Sequence, residues 1–91
     1  MSVWWCDGNG NGAFPFRVTF PPGVIDRNST VFATICEMGT IAGDPNSFPW
    51  FGAAALRVDN VVPRDTGDVV CMVEVLWDNP LNFRVHYLVN P

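Results

Sequence analysis

Glycine and proline interrupt this sequence so often that a long helix has no room to form. The 91 residues include eight glycines and eight prolines, and no segment between them repeats apolar residues at helical spacing. The segments alternate instead between apolar and polar residues, for example from Phe16 to Phe20. Because successive side chains of a strand point to opposite faces, this alternation predicts short strands, each with one buried face.

The clearest alternation lies near the C-terminus. Apolar residues occupy every second position from Cys71 to Trp77 and again from Phe83 to Val89, with the turn residues Asp78–Pro80 between them. If the two segments pair as a hairpin with Trp77 opposite Phe83, all of these apolar side chains share one face. A shift of one residue would bring polar side chains into the core, so the sequence favours the first register.

A third strand is predicted before this hairpin, with Val58 opposite Cys71 and Leu56 opposite Val73. The resulting sheet has one apolar face, which earlier strands such as Phe16–Phe20 can cover. Two packed antiparallel sheets of six or seven short strands form a small all-β sandwich, immunoglobulin-like in general architecture. A small closed barrel satisfies the same alternation and is the alternative.

The composition indicates a single domain, residues 1–91, whose surface is partly covered in its working state. Apolar residues make up 48% of the chain and charged residues 15%, against about 25% charged residues in ordinary domains. A surface with so little charge favours contact with a ligand, a partner or a further copy of the chain, which makes a homo-oligomer one expectation.

The charged residues exclude several classes of function. Nine acidic residues face five arginines, the formal net charge is −4 and no lysine is present. Nucleic acids and anionic membranes both need a basic patch that this chain lacks, so neither is expected as a partner. With His86 as the single histidine and no serine in a Gly-x-Ser-x-Gly motif, we expect no catalytic activity and no cofactor.

Three cysteines, Cys6, Cys36 and Cys71, do not form a regular disulfide pattern. Cys36 and Cys71 are interpreted as small buried residues inside strands, and a Cys36–Cys71 bridge that leaves Cys6 free is the alternative. The sequence has neither an apolar run long enough to span a membrane nor a signal-peptide pattern. We therefore expect a cytoplasmic or non-classically exported protein, and a trimmed secreted form is the alternative.

Two groups of polar residues are weighed as sites. Asp7, Asn9 and Asn11 alternate ahead of a glycine as in the first half of a calcium loop, but Val18 stands where that motif needs a glutamate. A flexible connector is therefore favoured over a metal site.

The second polar group follows from the predicted C-terminal hairpin. It places Glu74 opposite His86, with Arg84 two residues before the histidine and Arg57 diagonal to the glutamate. Such a cluster is typical of solvated ion pairs. A small polar-ligand site or a pH-sensitive contact is the alternative.

The aromatic residues Phe48, Trp50 and Phe51 are the strongest candidate for a functional site. They surround a proline in a predicted loop, Gly39–Phe51, from which three large side chains cannot all point inward. We expect them to stack on a sugar or contact another subunit, and a lid over the core is the alternative. Asp44 and Asn46 in the same loop are candidate polar contacts.

Trp4 and Trp5 are consecutive, so one indole must face the core and the other the surface. Trp4 is taken as a further candidate contact residue. Together these features favour a non-catalytic binding module, with carbohydrate as the predicted ligand. A structural subunit of a homo-oligomer or larger particle and a small protein inhibitor are the alternatives.

Overall fold

The computed structural model describes residues 1–40 and 42–90 and contains, in that part of the chain, seven β-strands and no helix. Ile41, which falls inside the predicted Gly39–Phe51 loop, and Pro91 lie outside the described residues. The strands in chain order are β1 (Ser2–Gly10), β2 (Gly12–Thr19), β3 (Thr30–Gly39), β4 (Phe48–Trp50), β5 (Ala55–Pro63), β6 (Asp68–Leu76) and β7 (Leu81–Asn90).

The strands form two antiparallel sheets packed face to face. The four-stranded sheet has the order β1-β7-β3-β4, and the three-stranded sheet has the order β2-β6-β5. The predicted all-β sandwich is therefore confirmed. Its strand order differs from that of an immunoglobulin domain, in which the first two strands are neighbours in one sheet. Here β1 and β2 lie in different sheets.

A single residue, Asn11, joins β1 to β2 and carries the chain from one sheet to the other. The change of direction uses Gly12, whose φ of 74° is readily adopted only by glycine. The predicted loop from Asp7 to Gly12 is thus wrong, because β1 continues through Gly10 and remains paired with β7 as far as Leu81.

The core lies between the inner faces of β6 and β7. Its fully buried side chains alternate along both strands, as the sequence predicts, and are Val69, Cys71, Val73 and Val75 on β6 and Phe83, Val85, Tyr87 and Val89 on β7. The predicted hairpin between these strands is wrong, however. Strand β6 pairs with β2 and β5, whereas β7 pairs with β1 and β3. The same apolar side chains therefore meet across the sandwich instead of side by side.

The β5–β6 hairpin is present, but its register differs from the prediction by two residues. Leu56 pairs with Val75 and Val58 with Val73. A bulge follows Asp59, where Asn60 has a φ of 52°, and places two residues, Asn60 and Val61, opposite the single residue Cys71. Because the difference is an even number, Leu56 and Val58 still face the core.

Glycines on the inner face of β1 make room for aromatic rings. A Cβ added at Gly8 would lie 2.5 Å from the Phe83 ring, and one at Gly10 would lie 2.9 Å from the Phe14 ring. Phe16 packs edge-on against Phe83 at a centroid distance of 5.4 Å. The glycines that look like loop residues in the sequence are therefore packing positions beneath the core aromatics.

All three thiols are free, so the alternative Cys36–Cys71 bridge does not form. The two residues lie on strands of different sheets, and the Cys71 thiol donates to the Phe16 carbonyl oxygen. The hydroxyl of Tyr87 is buried and has no hydrogen-bond partner within the described chain, and this burial raises the pKa of the phenol. Both groups act as parts of the core.

Ion pairs hold the loops at the end of the sandwich where β5 turns into β6. Asp68, with a side chain only 3% exposed, accepts hydrogen bonds from Arg64 Nε at 2.9 Å and Thr66 Oγ1 at 2.6 Å. These bonds hold the pKa of Asp68 well below its ordinary value of 3.8. Beside it, Arg27 pairs with Asp65.

We predict that acid destabilises the domain partly through Asp68. A carboxyl whose pKa is lower in the folded state stabilises the fold above its unfolded pKa, and this contribution is lost as the pH falls below that value. The melting temperature should therefore decrease from about pH 5 to about pH 2, and Asp68→Asn should be less stable at neutral pH and show a weaker decrease. Asp44→Asn, at an exposed carboxyl without an arginine partner among the described residues, should retain the wild-type pH profile.

We also predict that substitution by aspartate has opposite effects at two adjacent residues of β6. Val73 is 0% exposed and Met72 is 39% exposed. Val73→Asp should unfold the domain, since an unpaired charge in an apolar core costs several kcal/mol against a total stability of about 5–10 kcal/mol. Met72→Asp should change the free energy of unfolding by less than about 1 kcal/mol. Circular dichroism during chemical denaturation measures both, and equal tolerance would contradict the described core.

Candidate functional site

The aromatic segment predicted as loop forms the edge strand β4. Phe48 and Trp50 pair with the end of β3, and their rings contact each other at a centroid distance of 6.3 Å. Trp50 remains 53% exposed and Phe51 is fully exposed. The prediction of a loop is therefore wrong for Phe48–Trp50, which form a strand. Two of the three aromatic side chains, Trp50 and Phe51, do lie on the surface.

Trp50 forms one wall of a pocket at the open edge between the two sheets. The pocket has a volume of about 180 Å³ and is lined by Ile35, Cys36, Glu37, Trp50, Phe51, Gly52, Ala54 and Leu56. Glu37 lies opposite Trp50 in the β3–β4 pairing. Sheet pairing thus places a carboxylate directly beside an exposed indole.

Gly52 keeps this pocket open. A Cβ at residue 52 would lie 2.8 Å from Glu37 Oε1 and 3.2 Å from Trp50 Nε1. A hydrogen-bond acceptor and a donor therefore converge on one backbone position. Sequence analysis missed Glu37 and Gly52, because nothing in the sequence shows that β4 returns alongside β3.

A wider groove lies at the same end of the sandwich. It has a volume of about 590 Å³, and its lining combines an indole with amides and a carboxylate: Asn11, Gly12, Val75, Leu76, Trp77, Asp78 and Asn79. The register shows that both openings lie at one end, on opposite flanks, because the end of β3 pairs with the start of β7, just after these turn residues. We call this region, with Glu37, Trp50, Phe51, Trp77 and Asp78, the aromatic end.

The aromatic end also carries most of the unbalanced charge. All five arginines contact a carboxylate: Arg17 and Arg64 contact Asp68, Arg27 contacts Asp65, Arg57 contacts Asp59 and Glu74, and Arg84 contacts Asp7. Four acidic residues have no arginine partner in residues 1–40 and 42–90, and three of them, Glu37, Asp44 and Asp78, lie at the aromatic end. Three of the four formal negative charges that make up the net charge of −4 therefore lie at this end.

The predicted polar cluster is not brought together. Glu74 lies on the outer face of the three-stranded sheet, where it pairs with Arg57 at 2.5 Å. His86 and Arg84 lie on the outer face of the other sheet, with Trp5 opposite the histidine. The predicted Glu74–His86 contact is wrong because it depended on the β6–β7 hairpin, whereas the contact between Glu74 and Arg57 is present.

Arg84 instead connects β1 to β7. Its guanidinium donates to both Asp7 oxygens, at 2.7 and 3.1 Å, and lies 3.9 Å from the centroid of the Trp5 ring. The arginine lowers the pKa of Asp7. This arrangement combines a bidentate ion pair with a cation–π contact, so it fixes the register of the two strands.

The alternating residues Asp7, Asn9 and Asn11 do not converge on a cation. Asp7 binds Arg84, Asn9 donates to Asn82 at 2.9 Å, and Asn11 donates to the Asp78 carbonyl oxygen at 3.4 Å. In the part of the chain that the structure describes, no three histidine, cysteine or acidic side chains are grouped as metal ligands.

The remaining candidates separate into exposed and buried residues. Asp44 accepts a hydrogen bond from the Asn46 backbone N–H in an exposed turn. Trp4 faces inward, where it packs edge-on against Phe20 and donates to Ser2 Oγ at 2.8 Å. Trp4 is therefore the inward indole of the pair, and the exposed one is Trp5.

Comparison with known proteins identified no relative. No protein-family model matches the chain, and no curated protein or solved structure matches it significantly. The described residues also include no helix of the length and hydropathy needed to cross a membrane. A function for this chain is therefore inferred from the geometry of the aromatic end.

We predict that the two kinds of indole differ in their contribution to stability. Trp4→Ala should lower the free energy of unfolding by roughly 3 kcal/mol, since it removes core packing. Trp50→Ala should lower it by less than about 1 kcal/mol, because half of the indole already contacts water. Urea denaturation measures both, and a loss at Trp50 as large as that at Trp4 would show that β4 acts as a lid over the core.

Proposed function

We propose that this protein is a non-catalytic carbohydrate-binding module that holds a glycan at its aromatic end. The observation that carries the proposal is the convergence of Glu37 and the Trp50 indole N–H on the open pocket beside Gly52. A sugar ring offers an apolar C–H face and a rim of hydroxyl groups. An exposed indole complements the first, and a carboxylate beside an N–H donor complements the second.

The size of the aromatic end supports a ligand longer than one sugar. The pocket beside Trp50 is the smaller of the two openings, with a volume of about 180 Å³. The groove beside Trp77 is larger, about 590 Å³, and carries amide and carboxylate groups that bind hydroxyls. Two indoles at one end of the sandwich can therefore contact different units of one oligosaccharide.

Charge narrows the class of glycan. The acidic groups Glu37, Asp44 and Asp78 repel sulfated and uronic-acid sugars at short range. Neutral sugars and amino sugars avoid this repulsion, and a protonated amino sugar is attracted. We therefore propose a neutral or amino-sugar glycan as the ligand.

The carboxylates favour binding over hydrolysis. Glycosidases commonly place two carboxyl groups across the scissile bond, one of them acting as a general acid. Each of the two openings is lined by one carboxylate, Glu37 in the pocket and Asp78 in the groove. A second acid is missing from the described lining of each, which supports a module that retains its ligand unchanged.

We predict that a glycan array identifies neutral or amino-sugar ligands. Titration calorimetry on the best ligand should then show affinity losses of about tenfold or more for both Trp50→Ala and Glu37→Gln, since the first removes the apolar stacking surface and the second replaces a charged acceptor by a weaker, neutral one. Asp26→Asn is the matched control, because this acid also lacks an arginine partner among the described residues but lies at the opposite end.

Three results would contradict the proposal. One is a folded wild-type protein that binds no glycan on the array. Another is a preference for sulfated glycans. The third is an equal loss of affinity in Asp26→Asn, which would place the ligand elsewhere. Binding to a protein at the aromatic end, abolished by Trp50→Ala, would favour the inhibitor alternative.

A further inference from the structure

The outer face of the four-stranded sheet is unusually apolar. Val3, Leu88 and Phe32 form a row across β1, β7 and β3, and Trp5, His86 and Thr34 form the next row. Val3 is 70% exposed, Phe32 66% and Trp5 57%. We call the surface formed by these six residues the apolar face. Outward positions of a sandwich are normally polar, so the large exposed side chains of the apolar face indicate contact with another molecule.

The outer face of the other sheet is different. It also exposes Met72 and Val62, but these lie among the ion pairs of Arg57 and Arg17. The two outer faces of this domain therefore differ in whether their exposed apolar side chains lie beside ion pairs. Burial of the apolar face would remove large aromatic and aliphatic groups from water without separating an ion pair.

Charge on the apolar face suits a second copy of this chain. Two molecules that each carry a charge of −4 repel one another wherever their acidic groups approach. The charged pair bordering the apolar face is Asp7 with Arg84, and its two members neutralise each other. The acids without an arginine partner among the described residues lie at the two ends of the sandwich instead, so none of them lies on the apolar face.

The apolar face can form the centre of a symmetric interface. The two long dimensions of the molecule, 40 and 27 Å, limit the outer face of the sheet, and a typical stable interface of about 800 Å² per partner would include residues around these six. Val3 and Phe32 flank Leu88 on either side. A two-fold axis along β7 would place Leu88 against its own copy and Val3 against Phe32 of the second copy, so the apolar row matches itself.

We propose that the chain forms a two-fold symmetric homodimer through the apolar face. The aromatic end lies at the loops, not on this face, so it stays open in the dimer. The dimer does not depend on the proposed glycan function, and each can fail without the other.

Sedimentation velocity on the wild-type chain tests the dimer. Wild type should sediment with twice the 10.1 kDa mass of one chain. When it is diluted from roughly 0.5 mM over about three decades of concentration, the dimer should dissociate into monomers. Phe32→Asp should raise the dissociation constant at least about 30-fold, because it buries an unpaired charge against an apolar surface. Val3→Asp should act in the same direction, since its side chain lies in the same row.

The control is Val62→Asp, which places the same charge on the outer face of the other sheet and should leave the dimer intact. Circular dichroism establishes that each variant is folded. A wild-type protein that stays monomeric throughout the concentration range would overturn the proposal and would leave the apolar face to a different protein. A dimer disrupted by Val62→Asp but not by the folded Phe32→Asp and Val3→Asp variants would overturn it as well.

Discussion

The packing of β6 against β7 across the sandwich is the contact on which the rest of the structure depends. The inward side chains from Val69 to Val75 and from Phe83 to Val89 are fully buried, and each strand is the central member of a three-strand array in its own sheet. Strands on either side therefore extend a core that β6 and β7 establish. Phe83 shows how tight the contact is, because Gly8 is the residue that leaves room for its ring. The apolar burial outweighs the cost of leaving the Tyr87 hydroxyl unpaired within the described residues.

This central packing also explains why polar and aromatic side chains gather at the aromatic end. Once the middle of the sandwich is filled with β-branched and aromatic residues, a ligand can enter only where the sheets diverge. At one end, Arg64 and Arg27 hold the loops closed against Asp68 and Asp65. At the other end no arginine performs this role among the described residues, and Glu37 and Trp50 line an opening instead. Differences in ion pairing therefore separate a closed end from an open one.

Alternation in the sequence predicted which side chains are buried but not which strands are neighbours. The inward positions Cys71–Val75 of β6 and Phe83–Val89 of β7 were correct, since period two is the same whether the strands pair laterally or face each other. Trp77, predicted on the same face, is instead 45% exposed. The sheet to which each belongs depends on Asp78–Pro80, and a turn of this kind can either close a hairpin or cross between sheets. The same ambiguity produced the wrong Glu74–His86 contact. Glu37 could not be predicted as a site residue, because its position beside Trp50 depends on the short pairing of β3 with β4.

The joint at Asn11 has a mechanical consequence for the two openings of the aromatic end. Strands β1 and β2 are one nearly continuous ribbon that belongs to both sheets, so on that side the sheets cannot move apart without bending the backbone at a single residue. The groove beside Trp77 is lined by Asn11 and Gly12, so the joint between the two sheets also restrains the width of this groove. The pocket beside Trp50 lies on the opposite flank, where β3 and β5 face each other and the three-residue strand β4 forms the edge. One opening is therefore covalently restrained, whereas the other can widen by a small displacement of an edge strand.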